Sequence, residues 1–427
     1  MQSDEEKDRA LSGYCLLDLT TDQGLICGKM LGDLGADVIK IEKPGGDPAR
    51  NLGPFYHDIP HPEKSLFWFA FNTNKRGITL DIETADGQEI LKTLVKRADF
   101  LIESFPPGYL DDLGLGYASL SQINPRLVMT SITPFGQTGP RSHYKAPDIV
   151  GMAMGGSMFL TGEEGKTPMR IGFPQAYLHA GAEAAVGSLV AHYHRELTGE
   201  GQHVDVSMQA CVIWTLMNAT PYPILHGESQ TRAGMFFGSV ATAGIARRLI
   251  YPCKDGYISL VVAGGGGASS TRALVEWMDS EGSAPLFIKE KDWEGWDMAA
   301  IAAMGPENAQ KEIDAIEKVV IDFLMTHTKA EIYEEAIKRR ILLAPVSTVK
   351  DVSENPQLAA REYFTPLEHS ELHATVTYPG PFGKLSETPI TLRRRAPLIG
   401  EHNEEIYMGE LGFTRPKLIS LKECGVI

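Results

Sequence analysis

Three side chains near the start of one long apolar segment have the chemistry to exchange protons. They are the phenol of Tyr177, the imidazole of His179 and the carboxylate of Glu183. At ~100° per helical residue, Glu183 lies about 120° and His179 about 160° around a helix from Tyr177. A phenol has a reference pKa of about 10, so Tyr177 is expected to be protonated near neutral pH. The three groups do not converge on one point, and we expect no acidic side chain next to Tyr177.

The segment that carries these residues is predicted to be a long helix. From Ala176 to Leu197, Ala and Gly recur at spacings of three and four, which places them on one narrow helical face. Gly199 is expected at the C-cap, and Gln202–Met208 alternates like a strand. Small residues let another backbone approach, so we expect a buried helix. A core helix without a catalytic role explains the same pattern.

The histidines, the cysteines and the Gly-rich segment do not predict a further chemical site. His192 and His194 are two residues apart on the helix and face different directions, so they do not predict a metal site. The five cysteines contain no CxxC pair, which favours reduced thiols. The chain has no GxGxxG fingerprint, and its Gly-rich segment 263–270 lacks the ending of a P-loop. A tight or flexible connection explains that segment.

Composition and charge restrict the class of protein. The 427 residues are 43% hydrophobic and 22% charged, which is typical of a globular protein with two domains. No apolar run approaches the ~20 residues of a membrane span, and residues 1–10 do not resemble a signal peptide. A net charge of −15 gives no general attraction to nucleic acid or anionic lipid. We expect a cytoplasmic protein without nucleic-acid or membrane partners.

Alternating strands and helices over the first 200 residues predict a parallel α/β sheet. We expect a large domain over 1–220, a Pro- and Gly-rich linker over 221–248 and a smaller α+β domain over 249–340. The predicted strands of the large domain are Tyr14–Thr20, Ala36–Glu42, Gly77–Ile82, Phe100–Glu103 and Leu127–Thr133. The smaller domain is predicted to contain a hairpin over Leu249–Val262 and helices over Thr271–Met278, Asp292–Met304, Glu307–His327 and Lys329–Arg340.

Eight motifs, in this order across nearly the whole chain, together resemble the family III CoA-transferases. This group includes formyl-CoA transferase, carnitine CoA-transferase and, by fold, α-methylacyl-CoA racemase. The motifs are LDLT (Leu17–Thr20), LGADVIKIEKPGGDPAR (Leu34–Arg50), NKRGITLD (Asn74–Asp81), NPRLVMTSITPFGQTGP (Asn124–Pro140), KAPDIV (Lys145–Val150), GGSMFLTG (Gly155–Gly162), TGEGQHVDVSM (Thr198–Met208) and APLIGEHN (Ala396–Asn403).

This resemblance implies a fold and a reaction. The fold is a Rossmann-like large domain to which residues 341–427 return, with the smaller domain inserted late and the chains joined in interlocked, ring-like dimers. In the reaction, an aspartate carboxylate attacks an acyl-CoA thioester and forms a mixed anhydride, so that CoA moves to another carboxylic acid. The family carries this aspartate in an A-D-x-x-x-G pattern. The matching residues Ala176–Gly181 read AYLHAG, with Tyr177 in its place, so no catalytic residue is predicted here.

The resemblance also implies where CoA contacts would fall. They match Gln23 and Gly24 in the first turn, Lys43 after the second strand, and Lys145. Cations hold phosphates, although plain solvated lysines are the alternative for Lys43 and Lys145.

Some positions depart from the family pattern. Two positions that are basic in formyl-CoA transferase match Glu83 and Asp112, and Pro106 stands where many relatives have arginine. Carboxylates in place of cations weaken the binding of an anion. The racemase chemistry is not expected either, because its histidine position holds Pro147.

We therefore predict the non-catalytic, structural subunit of a CoA-transferase, with a paralogous catalytic subunit as its partner. The resemblance supports this, because some members of the family are two-subunit enzymes of this kind, and one of them acts in the anaerobic degradation of an aromatic compound. No tightly bound cofactor or metal is expected, and acyl-CoA and a carboxylic acid are substrates of the complex. Tyr177 is expected to plug the unused acyl site and pack at the interface. The alternatives are an active homodimer that uses another carboxylate and a non-enzymatic acyl-CoA-binding scaffold.

Overall fold

Short apolar runs that are buried on both faces build the first part of the chain, as a parallel sheet covered by helices requires. The computed structural model describes residues 9–163, 165–227, 229–236 and 245–427. The predicted polar N-terminus, up to residue 8, lies outside the described residues. So do residues 228 and 237–244 of the predicted linker.

A six-stranded, all-parallel sheet forms the centre of the fold. Its order is β3-β2-β1-β4-β5-β6, which is the strand order of Rossmann folds. This confirms the predicted α/β class. The strands are β1 (Cys15–Leu19), β2 (Asp37–Glu42), β3 (Lys75–Thr79), β4 (Phe100–Glu103), β5 (Val128–Thr133) and β6 (His203–Ser207).

The remaining elements cover this sheet or build the second half of the chain. No helix in the described part of the chain is both long and apolar enough to cross a membrane. The helices are α1 (Leu25–Asp33), α2 (Leu66–Phe71), α3 (Ala85–Val95), α4 (Tyr109–Asp112), α5 (Tyr117–Ile123), α6 (Asp148–Met154), α7 (Ser157–Leu160), α8 (Ala176–Thr198), α9 (Met208–Trp214), α10 (Tyr222–His226), α11 (Ala268–Ser280), α12 (Leu286–Lys289), α13 (Met298–Ala303), α14 (Pro306–Leu324), α15 (Lys329–Arg339), α16 (Val349–Ser353), α17 (Pro356–Ala360) and α18 (Arg415–Glu423). The other strands are β7 (Ile250–Cys253), β8 (Gly256–Leu260), β9 (Leu343–Pro345), β10 (Phe364–His369) and β11 (Ala374–Pro379).

The described chain divides into two compact units. The first contains the chain up to Met158, Arg170–Pro221 and Pro356–Ile427. The second contains Phe159–Met169 and Tyr222–Asn355. The domain limits drawn from the sequence stay a prediction. Within the second unit, strands β7, β8 and β9 form an antiparallel sheet in that order, which confirms the predicted hairpin.

Several predicted elements differ from the structure. β3 begins at Lys75 rather than Gly77, because Lys75 already pairs with Val38 of β2. The helix expected over Asp292–Met304 is shorter in the structure, where only α13 is helical. Asp292 instead accepts a hydrogen bond from Gly295 N in a turn, and Asp297 caps the helix by accepting one from Ala300 N. The segment read as a linker contains α10. The hairpin of β10 and β11 was not predicted.

The edge strand β3 is covered by a segment near the C-terminus. His402 N donates to Gly77 O at 2.9 Å, and Gly77 N donates to His402 Nδ1 at 3.0 Å. Thr79 N donates to Asn403 Oδ1 at 2.9 Å. The APLIGEHN motif therefore satisfies backbone groups that an open sheet edge would leave unpaired.

A buried charge network joins β1, β2 and β3. Lys75 Nζ lies 2.7 Å from Asp18 Oδ2, and Lys40 Nζ lies 3.9 Å from Asp18 Oδ1 and 3.4 Å from Asp47 Oδ2. The side chains of Asp18, Lys40 and Lys75 have no exposed surface. Burial would raise the pKa of Asp18, but Lys75 and Lys40 outweigh it and hold that pKa below its ordinary value.

Removal of the Asp18 charge is expected to destabilise the protein strongly. Asp18→Asn leaves the ammonium of Lys75 buried without its counter-ion, and breaking a buried pair in this way costs about 3–5 kcal/mol. Chemical denaturation followed by circular dichroism measures the loss. Asp112→Asn, the same exchange at an exposed side chain, is expected to change the free energy of unfolding by less than ~0.5 kcal/mol. Equal stabilities of the two variants would contradict this account.

Candidate active site

Helix α8 packs one face of small residues against the sheet and against α1. Ala180, Gly181, Ala184 and Ser188 on this face are buried. A Cβ added at Gly181 would lie 2.3 Å from Ile26 Cγ2 of α1, so only glycine permits this approach. The expected close contact with a second element is thus confirmed. The helix also ends as predicted, with Gly199 at φ 83° as its C-cap.

An aspartate from a neighbouring helix caps the start of α8. Asp148, the first residue of α6, accepts a hydrogen bond from Tyr177 N through Oδ1 at 3.2 Å. Burial raises the pKa of Asp148, while the backbone N–H groups of Tyr177, Ala176 and Gln175 oppose that rise. A carboxylate at this end also meets the positive end of the helix dipole. Asp148 therefore ties the first turn of α8 to the start of α6.

The phenol of Tyr177 is held in its neutral form. The side chain is buried, with 8% of the residue exposed. Burial, together with the negative charges of Asp22 and Asp148, raises the pKa of Tyr177 to about 12. At neutral pH it can donate or accept a hydrogen bond, but it is not an anionic nucleophile.

Tyr177 forms part of the wall of a cavity of about 500 Å³ in the first unit. Asp22, in the turn between β1 and α1, also lines the cavity. Burial is the main cause that raises the pKa of Asp22, and the negative charge of Asp47 adds to it. Most of the wall is apolar. The other lining residues are Leu25, Ile26, Leu52, Gly53, Pro54, Leu66, Phe67, Ala70, Phe71, Gly172, Phe173, Pro174 and Leu178.

The expectation that no acid lies near Tyr177 was wrong. It rested on positions along α8 alone, where Glu183 points away. The acids arrive from other elements, Asp148 from α6 and Asp22 from the turn after β1. One sequence signal was available, since the KAPD motif and the TTDQG turn each carry an aspartate. Only the fold brings these two motifs to the same helix end.

The first turn places Gln23 and Gly24 directly after Asp22. A Cβ at Gly24 would lie 2.7 Å from Thr20 Cγ2 and 2.9 Å from Ile132 Cδ1, so packing alone requires this glycine. Gln23 Oε1 is buried and has no hydrogen-bond partner within the described residues. Buried polar atoms are usually paired, so this oxygen is an acceptor without a protein donor in the described part of the chain.

Lys43 and Lys145 lie in different surroundings. Lys43 Nζ lies 2.8 Å from Glu83 Oε1, and both side chains are about half exposed. Tyr109 donates to the same Glu83 oxygen at 2.7 Å. These two bonds hold the pKa of Glu83 below its ordinary value, so its negative charge offsets that of Lys43. Lys145 is exposed, three residues before Asp148.

Comparison with known proteins gives one consistent family. The model of CoA-transferase family III matches residues 11–403. The chain is 37% identical to the BbsE subunit of succinyl-CoA:(R)-benzylsuccinate CoA-transferase from Thauera aromatica, over 97% of this chain and 98% of the relative. It is 34% identical to formyl-CoA:oxalate CoA-transferase from Streptomyces coelicolor, over 98% and 99%. A crystal structure of a CAIB/BAIF family protein from Brucella suis superposes with a TM-score of 0.80 at 29% identity, covering 94% of this chain and 100% of that chain.

The chain therefore belongs to CoA-transferase family III, a family of transferases that use CoA thioesters as substrates. The predicted family is confirmed. The roles of Tyr177, Gln23, Gly24, Lys43 and Lys145 stay predictions.

Titration of the phenol of Tyr177 tests the environment described above. Ordinary tyrosines ionise near pH 10, whereas the pKa of Tyr177 is raised to about 12. We expect the tyrosinate absorbance of the native protein minus that of Tyr177→Phe to stay flat up to pH 10.5 and to rise only above pH 11. A difference curve centred near pH 10 would show that the phenol is freely hydrated.

Proposed function

We propose that this chain is the non-catalytic, supporting subunit of a two-subunit family III CoA-transferase. The environment of Tyr177 is the observation that carries the proposal. By resemblance, Tyr177 stands where the family has its nucleophilic aspartate. A mixed anhydride needs a carboxylate, and the buried phenol has its pKa raised to about 12, so it supplies no nucleophile at neutral pH.

The pairing of Lys43 supports the same proposal. A subunit that binds CoA needs cations free to meet phosphate groups. The ammonium of Lys43 is already 2.8 Å from the Glu83 carboxylate. By resemblance, Glu83 and Asp112 also stand at positions that are basic in formyl-CoA transferase. We infer that Gln23, Gly24, Lys43 and Lys145 mark the family's CoA site in a weakened form.

The outer face of α8 offers a surface for the partner. Val186, Val190, Tyr193 and Leu197 expose 53, 64, 68 and 69% of their surface. At ~100° per residue they fall within about 60° of one another, opposite the buried small-residue face. A helix that is apolar on both faces is typical of a helix covered on both sides. The spacing of four, three and four residues is also that of a helix–helix seam.

The partner in this proposal is a paralogous chain that carries the catalytic aspartate. The BbsE relative is named as a subunit of a succinyl-CoA:(R)-benzylsuccinate CoA-transferase. We therefore infer succinyl-CoA as the CoA donor and an aromatic acid as the acceptor, in a cytoplasmic complex built as the family's interlocked, ring-like dimer. Tyr177 then packs in the unused acyl site near that interface.

One observation favours a second candidate, an active homodimer. Asp22 is a carboxylate that lines the same cavity as Tyr177, so it is the candidate for an alternative nucleophile. Transfer activity of this chain alone that disappears in Asp22→Asn would favour this candidate over the supporting subunit.

Restoring the aspartate is not expected to restore the reaction. In Tyr177→Asp the carboxylate would return, but Glu83 would still neutralise Lys43 at the proposed CoA site. We expect no succinyl-CoA-dependent transfer by the purified Tyr177→Asp chain alone, with Tyr177→Phe as the control for folding. Robust turnover by the Tyr177→Asp variant would contradict the proposal.

A charge on the α8 stripe is expected to prevent assembly. Val190→Glu would bury an unpaired carboxylate in the seam and weaken the complex with the paralogous subunit at least tenfold. Light scattering after size exclusion of the co-expressed chains measures the loss. Ile419→Glu on α18, an apolar residue that is 52% exposed, is the matched control and should assemble normally. Normal assembly of Val190→Glu would show that α8 is not part of the interface.

A further inference from the structure

A further cavity lies in the C-terminal part of the first unit, which comprises Pro356–Ile427. Its volume is about 660 Å³, within the ~300–1,000 Å³ of small-molecule pockets. Its wall comes from the segments 358–365, 381–385 and 389–392, and none of these described residues lines the cavity beside Tyr177. We call it the C-terminal cavity.

Backbone contacts hold the segments of this wall in place. A Cβ added at Gly380, just after β11, would collide with Tyr363 O, so glycine is needed where the two stretches of chain meet. The side chain of Asn74 donates to Thr391 O at 2.8 Å and accepts from Arg393 N at 2.7 Å. The C-terminal cavity is therefore framed by anchored chain on both sides.

Apolar side chains, both buried and exposed, line the C-terminal cavity. Ile390 and Leu392 are buried, whereas Phe382 and Leu385 expose 63% and 41% of their surface. Tyr363 adds a second, half-buried ring. A ligand with an apolar body would remove the exposed part of this surface from water, which is favourable, and aromatic rings in the wall offer faces and edges to a further ring.

The charged side chains of the same wall are positive in sum. Arg361 and Lys384 are both exposed, and Glu362 is the one acid among the described lining residues. Within the described part of the chain, neither Arg361 nor Lys384 forms an ion pair or a side-chain hydrogen bond. Lys43, in contrast, is offset by Glu83 at 2.8 Å. The two cations of the C-terminal cavity are therefore available to an anion.

A buried hydroxyl group belongs to the same wall. Thr391 Oγ1 is buried and has no hydrogen-bond partner among the described residues. Buried polar atoms are usually paired, and a hydroxyl is able to donate to a carboxylate or accept from a neutral group. The wall therefore combines apolar surface, two available cations and a hydroxyl without a protein partner.

We propose that the C-terminal cavity binds an organic monoanion with an apolar, ring-sized body, such as an aromatic carboxylate. Arg361 and Lys384 pair with the anionic group, while Phe382 and Tyr363 pack against the ring. Two cations and the single acid Glu362 leave one net positive charge, which matches one negative charge on the ligand. This is a binding site without an assigned reaction, and it is independent of the proposed subunit role.

Two probes with the same ring test the charge preference on the full chain. Isothermal titration at pH 7.5 compares 2-naphthoate, an anion, with 2-naphthalenemethanol, which is neutral. We expect the native chain to bind the anion about tenfold more tightly, because hydrogen bonds to charged groups are the stronger ones. The double variant Arg361→Gln/Lys384→Gln should lose this preference. Arg141→Gln/Lys422→Gln removes the same charge at exposed positions and should keep it.

Equal affinities of the two probes for the native chain would overturn the proposal. So would a preference for 2-naphthoate that is unchanged in the Arg361→Gln/Lys384→Gln variant. These titrations need neither CoA nor the partner chain, so their outcome is separate from that of the transferase assays.

A cavity-filling variant shows whether 2-naphthoate binds at this place. Gly383 lines the C-terminal cavity, and a Cβ added there has no atom within 4 Å, so Gly383→Trp places an indole in the cavity without a backbone clash. We expect this variant to lose binding of 2-naphthoate. Gly409→Trp makes the same change at an exposed glycine that also has open space and should bind normally. Unchanged binding by Gly383→Trp, with a native circular dichroism spectrum, would show that the probe binds elsewhere.

Discussion

The carboxylate of Asp18 is the group on which the rest of the first unit depends. It lies at the end of β1 with no exposed surface and is paired with Lys75 of β3 and Lys40 of β2. A buried charge is tolerated only when it is paired and hydrogen-bonded, so these three strands and their register are stabilised together. Asp18 Oδ1 also accepts from Thr20 N and Thr20 Oγ1 at 2.9 and 2.6 Å.

The same network fixes the turn that leads into the candidate site. Lys40 donates to Thr20 O, and Lys75 donates to Leu25 O at 2.9 Å. Thr20 and Leu25 are the two ends of the turn that carries Asp22, Gln23 and Gly24. The position of Asp22 in the cavity wall therefore follows from buried charges several residues away.

Several motifs that identify the family serve to build the fold. Arg50 of the GGDPAR motif forms two hydrogen bonds with Glu42, at 2.6 and 2.7 Å, and also donates to Pro397 O of the APLIGEHN motif at 2.9 Å. Such residues hold the C-terminal segment against the first strands. These contacts do not involve Tyr177, so a change at that helix position leaves them intact. Membership of the family therefore does not by itself require that this chain keeps the reaction.

Periodicity and glycine positions were enough to predict the parallel strands, α8 and its end at Gly199, because these depend on local residue patterns. The hairpin of β10 and β11 was missed since Pro366 and Pro379 interrupt its alternation. The pairing of Lys43 with Glu83 joins residues 40 positions apart, and only the sheet brings them together. The two aspartates near Tyr177 were missed for the same reason.

Reconstitution of the complex tests the central claim most directly. This chain and a paralogous chain that carries the A-D-x-x-x-G aspartate are expressed separately and together. Size exclusion with light scattering then gives their assembly, and succinyl-CoA-dependent transfer is assayed for each sample. The account predicts transfer in the mixed oligomer and none from this chain alone. Transfer by this chain alone would contradict it and would direct attention to Asp22 as the acyl-accepting carboxylate.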